Sequence, residues 1–319
     1  MQALLAQLSY ELKRFSTTKE SIETLFIGGG TPSTVAPSLY APIFELLRPY
    51  LRKDAEITSE ANPNSATYEW LEGMKKLGVN RISFGVQSFN KDKLKLLNRA
   101  HTPEMAKEAL LNAEKIGYKN LSLDLIYATL GDTKELLQKD IETAFSLPIN
   151  HLSAYALTIE EGTAFQARPE MSSEQLEITQ WIFAQIQKQN FTQYEISNFG
   201  TYHSEHNLGY WKYKDYIGAG AGAVGKLGTK RYYPTPSIEA YIQNPLSINE
   251  ESLTQEDIRL EKIFLGFRSC VGVQKEILTD EEKNRASLLV QEKKLLLKNA
   301  TFFNPEYLLA DEIALYLTS

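Results

Sequence analysis

The chain alternates between segments with apolar residues at helical spacing and short apolar runs. The first pattern predicts amphipathic helices and the second predicts buried strands. The predicted strands are Leu25–Ile27, Glu56–Ser59, Arg81–Val86, Leu121–Ile126, His151–Leu157 and Gln193–Ile196. The predicted helices are Met1–Phe15, Ser38–Leu51, Thr67–Leu77, Lys91–Leu97, Pro103–Ile116, Lys134–Phe145 and Ser172–Gln189. This succession predicts a parallel α/β sheet with right-handed crossovers, either an open sheet or a partial or complete barrel, and its regular spacing favours a barrel over a two-lobed fold.

The alternation ends near residue 225, where three prolines between residues 234 and 245 interrupt a connecting region. Beyond it, helical periodicity covers Glu256–Leu265 and Glu281–Lys298, and the only strand pattern is a short hairpin near Lys298–Phe303. The sequence therefore predicts two domains, a barrel over residues 1–225 and a smaller, mainly helical domain over residues 226–319.

Composition narrows the class of protein. A chain of 319 residues with 43% hydrophobic and 23% charged residues is typical of a globular protein. Its net charge of −6 argues against general nucleic-acid binding, which needs clustered Lys and Arg. It has neither a targeting pattern nor an apolar run of the roughly 18–20 residues that span a bilayer, so we predict a cytoplasmic protein.

Cysteine usage excludes two further classes of site. Cys270 is the only cysteine, so the chain has no intrachain disulfide framework and no cysteine cluster for zinc or iron–sulfur. We predict that Cys270 is buried, because isolated cysteines are among the most buried residues.

Polar residues and glycines follow four of the predicted strands. Gly28–Thr31 follows the first strand, Glu60 the second and Gln87 the third, while Asp124 lies on the fourth. Because the carboxyl ends of parallel strands meet at one end of a barrel, we expect these residues to converge there.

Three interpretations of this set are open. In the structural one, Gly28–Gly30 only makes a turn, and Glu60 and Asp124 pair with Arg81, Arg99 or backbone amides. In the second, the acids, the amide and the glycine backbone bind a ligand with an aminoacyl group and a ribose, since carboxylates accept ribose hydroxyls. In the third, the glycines belong to a phosphate-binding barrel enzyme, although the nearby lysine that such a site uses is missing.

Five segments occur in an order that points to a family. They are Gly28–Ser33, Glu60–Pro63, Arg81–Phe89, Asp124–Tyr127 and Tyr194–Phe199. Together they resemble the radical S-adenosylmethionine (SAM) family that contains oxygen-independent coproporphyrinogen III oxidase, and more closely its HemW-type relatives, the haem chaperones. The resemblance implies an α/β fold: a partial (β/α)6 barrel that lacks its first strand and cluster loop here, followed by a smaller, mainly helical C-terminal domain.

The resemblance also implies which residues bind the cofactor. The positions that match S-adenosylmethionine contacts of the family are Gly29, Gly30, Thr31, Glu60, Gln87, Arg99, Asp124 and, as a backbone contact, Ala156. In the oxidase branch, some of these contacts are made to a second S-adenosylmethionine.

One motif resembles the haem-chaperone branch rather than the oxidase. It is the HNxxYW element, formed here by His206, Asn207, Tyr210 and Trp211. An imidazole is a good axial ligand for haem iron, and aromatic rings offer flat apolar faces to a porphyrin. His203 could stand in or assist, and Ser204 occupies a position where the family often has a cysteine. The alternative is a surface histidine beside packed aromatics.

Two departures from the family stand out. The family reduces its cofactor with a [4Fe–4S] cluster held by a CxxxCxxC loop, and Cys270 cannot supply three thiolates, so this chain carries no iron–sulfur ligands. The loop should precede the first helix, which predicts a missing N-terminal segment. In addition, relatives commonly have Gly-Leu-Pro after the residue that matches Tyr127, whereas this chain has Ala128–Leu130, which we expect to reshape the barrel mouth.

Two functions of different class follow. As a haem chaperone, the chain binds haem and transfers it to a haem-accepting protein, with S-adenosylmethionine and the cluster present in a full-length form. As an oxidase-like enzyme, it cleaves S-adenosylmethionine reductively and abstracts hydrogen from a porphyrinogen propionate. The HNxxYW element favours the chaperone, and the missing cysteines disfavour the oxidase-like enzyme for this chain. We expect no nucleic-acid partner and membrane contact only through a partner protein, and a dimer is compatible with the sequence.

Overall fold

The computed structural model describes residues 1–159, 162, 165–173 and 176–319. The chain forms two compact units. The first unit comprises Thr24–Leu39 and Glu56–His203, and the second comprises Met1–Glu23, Tyr40–Ala55 and Ser204–Ser319. The domain boundary near residue 225 stays a prediction.

The described residues form thirteen strands and twelve α-helices. The strands are β1 Ile22–Ile27, β2 Leu51–Ala61, β3 Arg81–Gln87, β4 Asn120–Tyr127, β5 His151–Ala156, β6 Thr192–Gln193, β7 Asn198–Gly200, β8 Gly225–Leu227, β9 Lys230–Pro234, β10 Ile248–Ser252, β11 Val273–Gln274, β12 Leu296–Lys298 and β13 Thr301–Phe303. The helices are α1 Gln2–Arg14, α2 Pro37–Leu47, α3 Tyr68–Leu77, α4 Lys91–Leu96, α5 Pro103–Ile116, α6 Lys134–Phe145, α7 Leu176–Gln187, α8 Glu205–Trp211, α9 Ile238–Gln243, α10 Gln255–Phe267, α11 Asp280–Gln291 and α12 Ala310–Thr318. Among the helices of this part of the chain, none is long and apolar enough to cross a membrane.

Seven strands form one sheet in the order β1-β2-β3-β4-β5-β7-β6. The pairs β2–β3, β3–β4 and β4–β5 are parallel, which confirms the predicted parallel α/β sheet. The prediction of one further strand over Gln193–Ile196 is wrong, because the chain reverses there and forms the hairpin β6–β7. The amide N–H of Tyr194 donates to the carbonyl oxygen of Asn198 at 3.1 Å and closes this turn. As a result β7, rather than β6, pairs with β5, and it does so antiparallel.

The two faces of the sheet differ in polarity. Along β4, the buried residues Leu121, Leu123 and Leu125 alternate with Ser122 and Asp124. Successive side chains of a strand point to opposite faces, so one face of β4 is apolar and packs in the core while the other is polar. The polar face is the one that carries the predicted site residue.

Several predicted boundaries are wrong. The predicted helix Ser38–Leu51 ends earlier, because β2 begins at Leu51 and is much longer than the predicted Glu56–Ser59. The predicted helix Ser172–Gln189 begins at Leu176 in the structure, and its residues 174 and 175 lie outside the described residues. The predicted helix Glu281–Lys298 ends at Gln291, and its last residues form β12.

The second unit contains more strand than the sequence predicted. The proline-containing region was expected to be a connection, but it holds the antiparallel sheet β10-β9-β8. Pro234 is compatible with the middle strand of this sheet because β8 pairs with β9 only as far as Tyr232. Beyond that point the missing N–H of proline removes no hydrogen bond to β8.

The C-terminal helices pack around a buried apolar cluster that includes Ile263, Phe267 and Leu317. At the other end of the chain, α1 buries Leu8 and Leu12, as its predicted amphipathic pattern requires. The amide of Gln7 from the same helix donates to the carbonyl oxygen of Gly218 and accepts from the N–H of Gly220. The first helix is therefore an integral part of the second unit.

The predicted hairpin near Lys298–Phe303 is confirmed: β12 and β13 pair antiparallel around a two-residue turn. Both turn residues, Asn299 and Ala300, have positive φ, at 47° and 58°. Such a turn favours Asn followed by Gly, because a Cβ is strained in this region.

We predict that Ala300→Gly stabilises the protein. The exposed Ala300 methyl group contributes no buried contact, and removing the left-handed strain outweighs the added flexibility of the unfolded chain by about 0.5–1 kcal/mol. Urea unfolding measures this change. Ala300→Ser is the matched control, since serine keeps the Cβ and the strain, and equal stability of both variants would contradict the prediction.

Candidate functional site

An open cavity of about 170 Å³ lies at the carboxyl ends of the first strands of the sheet. It is lined by Gly30, Thr31, Pro32, Glu60, Ala61, Asn62, Ser83, Gly85, Gln87, Arg99 and Asp124. Six of the eight residues predicted to bind S-adenosylmethionine belong to this set. Gly29 is next to it in sequence, and Ala156, the last residue of β5, is not among the described residues that line the cavity.

The glycine turn after β1 contacts the first carboxylate of the cavity. Gly29 has a φ of 79°, and its N–H donates to Oε2 of Glu60 at 3.2 Å. A Cβ on the preceding Gly28 would lie 3.2 Å from Cδ of Glu60 and 2.6 Å from the Phe26 ring. Burial raises the pKa of the Glu60 carboxyl, and the Gly29 N–H opposes this rise. The glycines are thus needed both for the turn and for its close approach to Glu60.

A β-bulge redirects Gln87 into the cavity. Phe84 pairs with Leu123 and Gln87 pairs with Leu125, so β3 has one residue more than β4 over this interval. A bulge of this kind bends the strand and changes where the next side chain points. The bulged residues lie opposite Asp124, and a Cβ on Gly85 would come within 3.1 Å of Nε2 of Gln87.

Asp124 is the most perturbed acid of the cavity. Burial raises its pKa to about 6, and the nearby Glu60 carboxyl adds to the rise. A hydrogen bond from the Ser153 hydroxyl and the positive charges of Arg81 and Arg99 oppose it. The cost of burying an unpaired carboxylate predicts a partner for both Glu60 and Asp124, and both have one. Because its pKa is close to neutral, Asp124 can accept a hydrogen bond from a ligand or share a proton with it.

The cavity contains residues that the sequence did not identify. Asn62 lies just beyond the end of β2, and Ser83 pairs with Glu60 across the β2–β3 ladder. Alternation along β3 puts residues 83, 85 and 87 on one face, so the position of Gln87 could have identified Ser83 from the sequence.

Glu195 forms a second buried acidic group in the same unit. It is only 2% exposed, and burial raises the pKa of its carboxyl to about 7. Hydrogen bonds from the side chain of Asn198 and from the N–H of Ser197, at 3.3 Å, oppose the rise. The segment that contains Glu195 was part of the family resemblance, but no role was predicted for this residue.

The helix α8 arranges the predicted haem-binding residues in two pairs. Residues four positions apart lie on one side of a helix, so His206 is beside Tyr210 and Asn207 is beside Trp211. Nε2 of His206 and the hydroxyl of Tyr210 share a hydrogen bond of 3.1 Å, and their rings meet edge to face. The helix begins at Ser204, whose side chain accepts from the N–H of Asn207. This cap gives the serine a local structural role.

Tyr210 is 41% exposed, and its ring also meets Tyr216 edge to face, with ring centroids 4.8 Å apart. The side chain is therefore held by two neighbours while its surface remains accessible. His203 belongs to the first unit, where its ring stacks on the buried Tyr194. This stacking gives His203 a packing role.

The turn after Tyr127 differs from that of the family at Ala128. Its φ is 58°, a conformation that favours the glycine of relatives, and it is 1% exposed. Oδ2 of Asp132 accepts from the N–H of Thr129 at 2.9 Å and closes the turn. A buried methyl group and a side-chain cap thus accompany the strained backbone at this position.

The prediction for the single cysteine is wrong in one respect, since Cys270 is exposed. Within residues 1–159, 162, 165–173 and 176–319, no group of three His, Cys, Asp or Glu side chains is arranged to hold a metal ion. The described residues therefore do not fit a [4Fe–4S] cluster, which needs three thiolates in this family.

Comparisons with known proteins agree with the fold and the motifs. Residues 4–144 match the radical SAM superfamily. The heme chaperone HemW of Lactococcus lactis is 33% identical over 287 residues, which cover 86% of this chain and 75% of that protein. HemW of Bacillus subtilis is 33% identical and covers 82% and 73%, and HemW of Escherichia coli is 40% identical and covers 65% and 56%. Among solved structures, the coproporphyrinogen III oxidase HemN of Escherichia coli superposes with a TM-score of 0.82 over 99% of this chain and 82% of that chain, at 19% identity.

We predict that Glu195→Gln makes the stability of the protein less dependent on pH. The pKa of Glu195 is about 7 in the fold against an ordinary 4.5. The folded state thus retains a proton that the unfolded state loses between these values, and wild type loses stability as pH rises through about 7. Relative to wild type, the variant should gain on the order of 3 kcal/mol between pH 4 and pH 8, at about 1.4 kcal/mol per pKa unit.

Urea unfolding of both proteins across this pH range measures the difference. Glu108→Gln, which changes an exposed carboxyl inside α5 of the same unit, is the control and should follow the wild-type curve. Parallel curves for wild type and Glu195→Gln would show that Glu195 has the same pKa in the folded and unfolded states and would contradict the prediction.

Proposed function

The chain belongs to the HemW family within the radical SAM superfamily, and we propose that it binds haem and passes it to a haem-accepting protein. The observation that carries the proposal is α8, where an imidazole and an accessible phenol ring lie on one side of the same helix. The relatives named heme chaperones support the same function.

We propose that His206 is the axial ligand of the haem iron. Its Nε2 shares a hydrogen bond with the Tyr210 hydroxyl, and haem binding would exchange this hydrogen bond for a bond to the iron while the Tyr210 ring stays packed against Tyr216. Tyr210 and Trp211 then offer aromatic surface to the porphyrin, while Asn207 lies on the side of the helix that carries Trp211. His203, which stacks on Tyr194, has no part in this proposal.

We also propose that the cavity at the strand ends binds S-adenosylmethionine, the cofactor that the superfamily uses. Glu60 and Asp124 are acceptors for ribose or amino groups, and Gln87 can both donate and accept. Gly29, Gly30 and Thr31 present backbone beside Glu60, and Arg99 supplies a positive charge near Asp124. Ala156 completes the set predicted from the family.

The [4Fe–4S] cluster of the superfamily supplies an electron for reductive cleavage of S-adenosylmethionine when it is bound. The described residues do not fit it, so we derive no step through the cluster. The oxidase-like alternative depends on that chemistry, and the likeness to coproporphyrinogen III oxidase, at 19% identity, concerns the fold alone. The chaperone is therefore the function that we propose. Cytoplasmic location, dimer formation and contact with a membrane through a partner protein stay predictions.

We predict that His206→Ala weakens haem binding at least about tenfold, because the iron loses its axial imidazole. Titration with haem, followed through the Soret absorbance, measures the affinity and reports the loss of histidine ligation as a band shift. His203→Ala is the matched control and should keep the wild-type band and affinity. If both variants bind as wild type does, the role of His206 is wrong.

We predict that Glu60→Ala weakens binding of S-adenosylmethionine about tenfold, the cost of one hydrogen bond to a charged group. Isothermal titration with S-adenosylmethionine measures the change. Glu69→Ala removes an exposed carboxyl outside the cavity and should leave the affinity unaltered. Unchanged affinity for Glu60→Ala would remove this carboxylate from the proposed site.

A further inference from the structure

The backbone at Gln87 adopts a strained conformation that needs support from the surrounding structure. Its φ is 68°, and the N–H of Ser88 donates to the carbonyl oxygen of Val86 at 2.9 Å, so Gln87 is the central residue of a three-residue turn. A turn of this kind with positive φ is rare and strained for a residue with a side chain. Strain of this sort persists only where the surrounding structure fixes the backbone.

One carboxylate of α6 fixes much of the backbone that follows Gln87. Oδ2 of Asp140 accepts from the hydroxyl of Ser88 at 2.7 Å, and Oδ1 accepts from the N–H of Phe89 at 2.7 Å. Both contacts are made to the two residues that follow Gln87. Asp140 is 3% exposed, so these hydrogen bonds are made away from water, where they do not have to compete with it.

Neighbouring contacts confine the same segment. The Ser88 hydroxyl oxygen also accepts from the N–H of Asn90, the residue that caps α4. On the other side of the turn, Nε2 of His101 donates a hydrogen bond of 2.8 Å to the carbonyl oxygen of Val86. The turn is therefore held before and after Gln87, and Asp140 holds the side after it.

A buried ion pair supports the region behind the turn. Nζ of Lys93, on α4, lies 2.7 Å from Oδ1 of Asp132, and the two side chains are 3% and 2% exposed. Asp132 also closes the turn that follows β4. The helix that starts after Gln87 and the loop that follows β4 are thus joined close to Asp140, whose carboxyl both charges influence.

We propose that Asp140 is a positioning residue of the S-adenosylmethionine site: by binding Ser88 and Phe89 it holds Gln87 in the strained turn that directs its side chain into the cavity. This inference rests on the proposed function of the cavity. Asp140 itself is not among the lining residues of the cavity, so it acts on the ligand through Gln87. The contribution of α6 is to fix the backbone that follows β3.

The experiment measures the protection of the turn and the affinity for the ligand in separate assays. Hydrogen–deuterium exchange of the full chain without ligand reports the amides of residues 86–90, and isothermal titration reports the affinity for S-adenosylmethionine. We compare wild type with Asp140→Ala and Asp140→Asn. The asparagine keeps an acceptor for the Phe89 N–H and can donate to the Ser88 hydroxyl. The matched control is Tyr118→Phe, which removes a buried hydrogen bond of 2.9 Å to the carbonyl oxygen of Leu71 in the same unit.

We expect Asp140→Ala to raise exchange in residues 86–90 more than elsewhere in the chain. It should also weaken S-adenosylmethionine binding about tenfold, because the relaxed turn has to be re-formed before Gln87 can contact the ligand. Asp140→Asn should restore most of the protection and affinity. Tyr118→Phe should show neither local effect, even where its midpoint of urea unfolding falls as far as that of Asp140→Ala.

Two results would overturn the inference. One is equal exchange in residues 86–90 for Asp140→Ala and the control, which would make Asp140 an ordinary stabilising residue. The other is increased exchange in the turn with unchanged affinity for S-adenosylmethionine, which would show that the position of Gln87 does not affect ligand binding. If wild type itself binds no S-adenosylmethionine, the proposed cofactor site fails and the positioning role fails with it, while the exchange data still show whether Asp140 holds the turn.

Discussion

The parallel register of the sheet is the constraint on which the first unit depends. It pairs Glu60 with Ser83, and it pairs Asp124 with Ser153, which in turn pairs with Asn198 of β7. Carboxylates on this polar face lose much of their hydration, which is costly unless neighbouring groups replace it. The hydroxyl of Ser153 and the backbone of the glycine turn replace part of this hydration. The register that places these partners beside the acids also brings the acids together at one cavity.

The sequence predicted the parts of this site that depend on local pattern. The glycines before Thr31, the acid at the end of β2 and the alternation around Asp124 are visible in the chain, and the carboxyl ends of parallel strands converge by geometry alone. The bulge at Gly85 and the hairpin that places Asn198 beside β5 were not predictable in this way. Both depend on how one strand matches its neighbour, and apolar periodicity carries no information about that match.

In the predicted haem-binding helix, local sequence spacing predicts the main contact, and only the packing around it depends on the rest of the fold. Its spacing alone places His206 beside Tyr210 as soon as the segment is helical, so the central contact of α8 could be predicted from sequence. What the spacing does not predict is the packing of Tyr210 against Tyr216, which lies six residues further along the chain and follows an irregular segment. That packing matters because an accessible aromatic ring with a fixed orientation loses less conformational freedom when a flat ligand binds.

The strained turn at Gln87 explains why the cavity cannot be understood from its lining alone. A residue with φ of 68° on a strand end would relax if only the cavity side held it, because that side is open to solvent. The restraint comes instead from Asp140, on the helix that follows β4. Since the α6 carboxylate is buried and the cavity is open, the stability of the turn does not depend on a ligand. The site is thereby arranged before binding, and the cost of ordering Gln87 is met during folding rather than when a ligand enters.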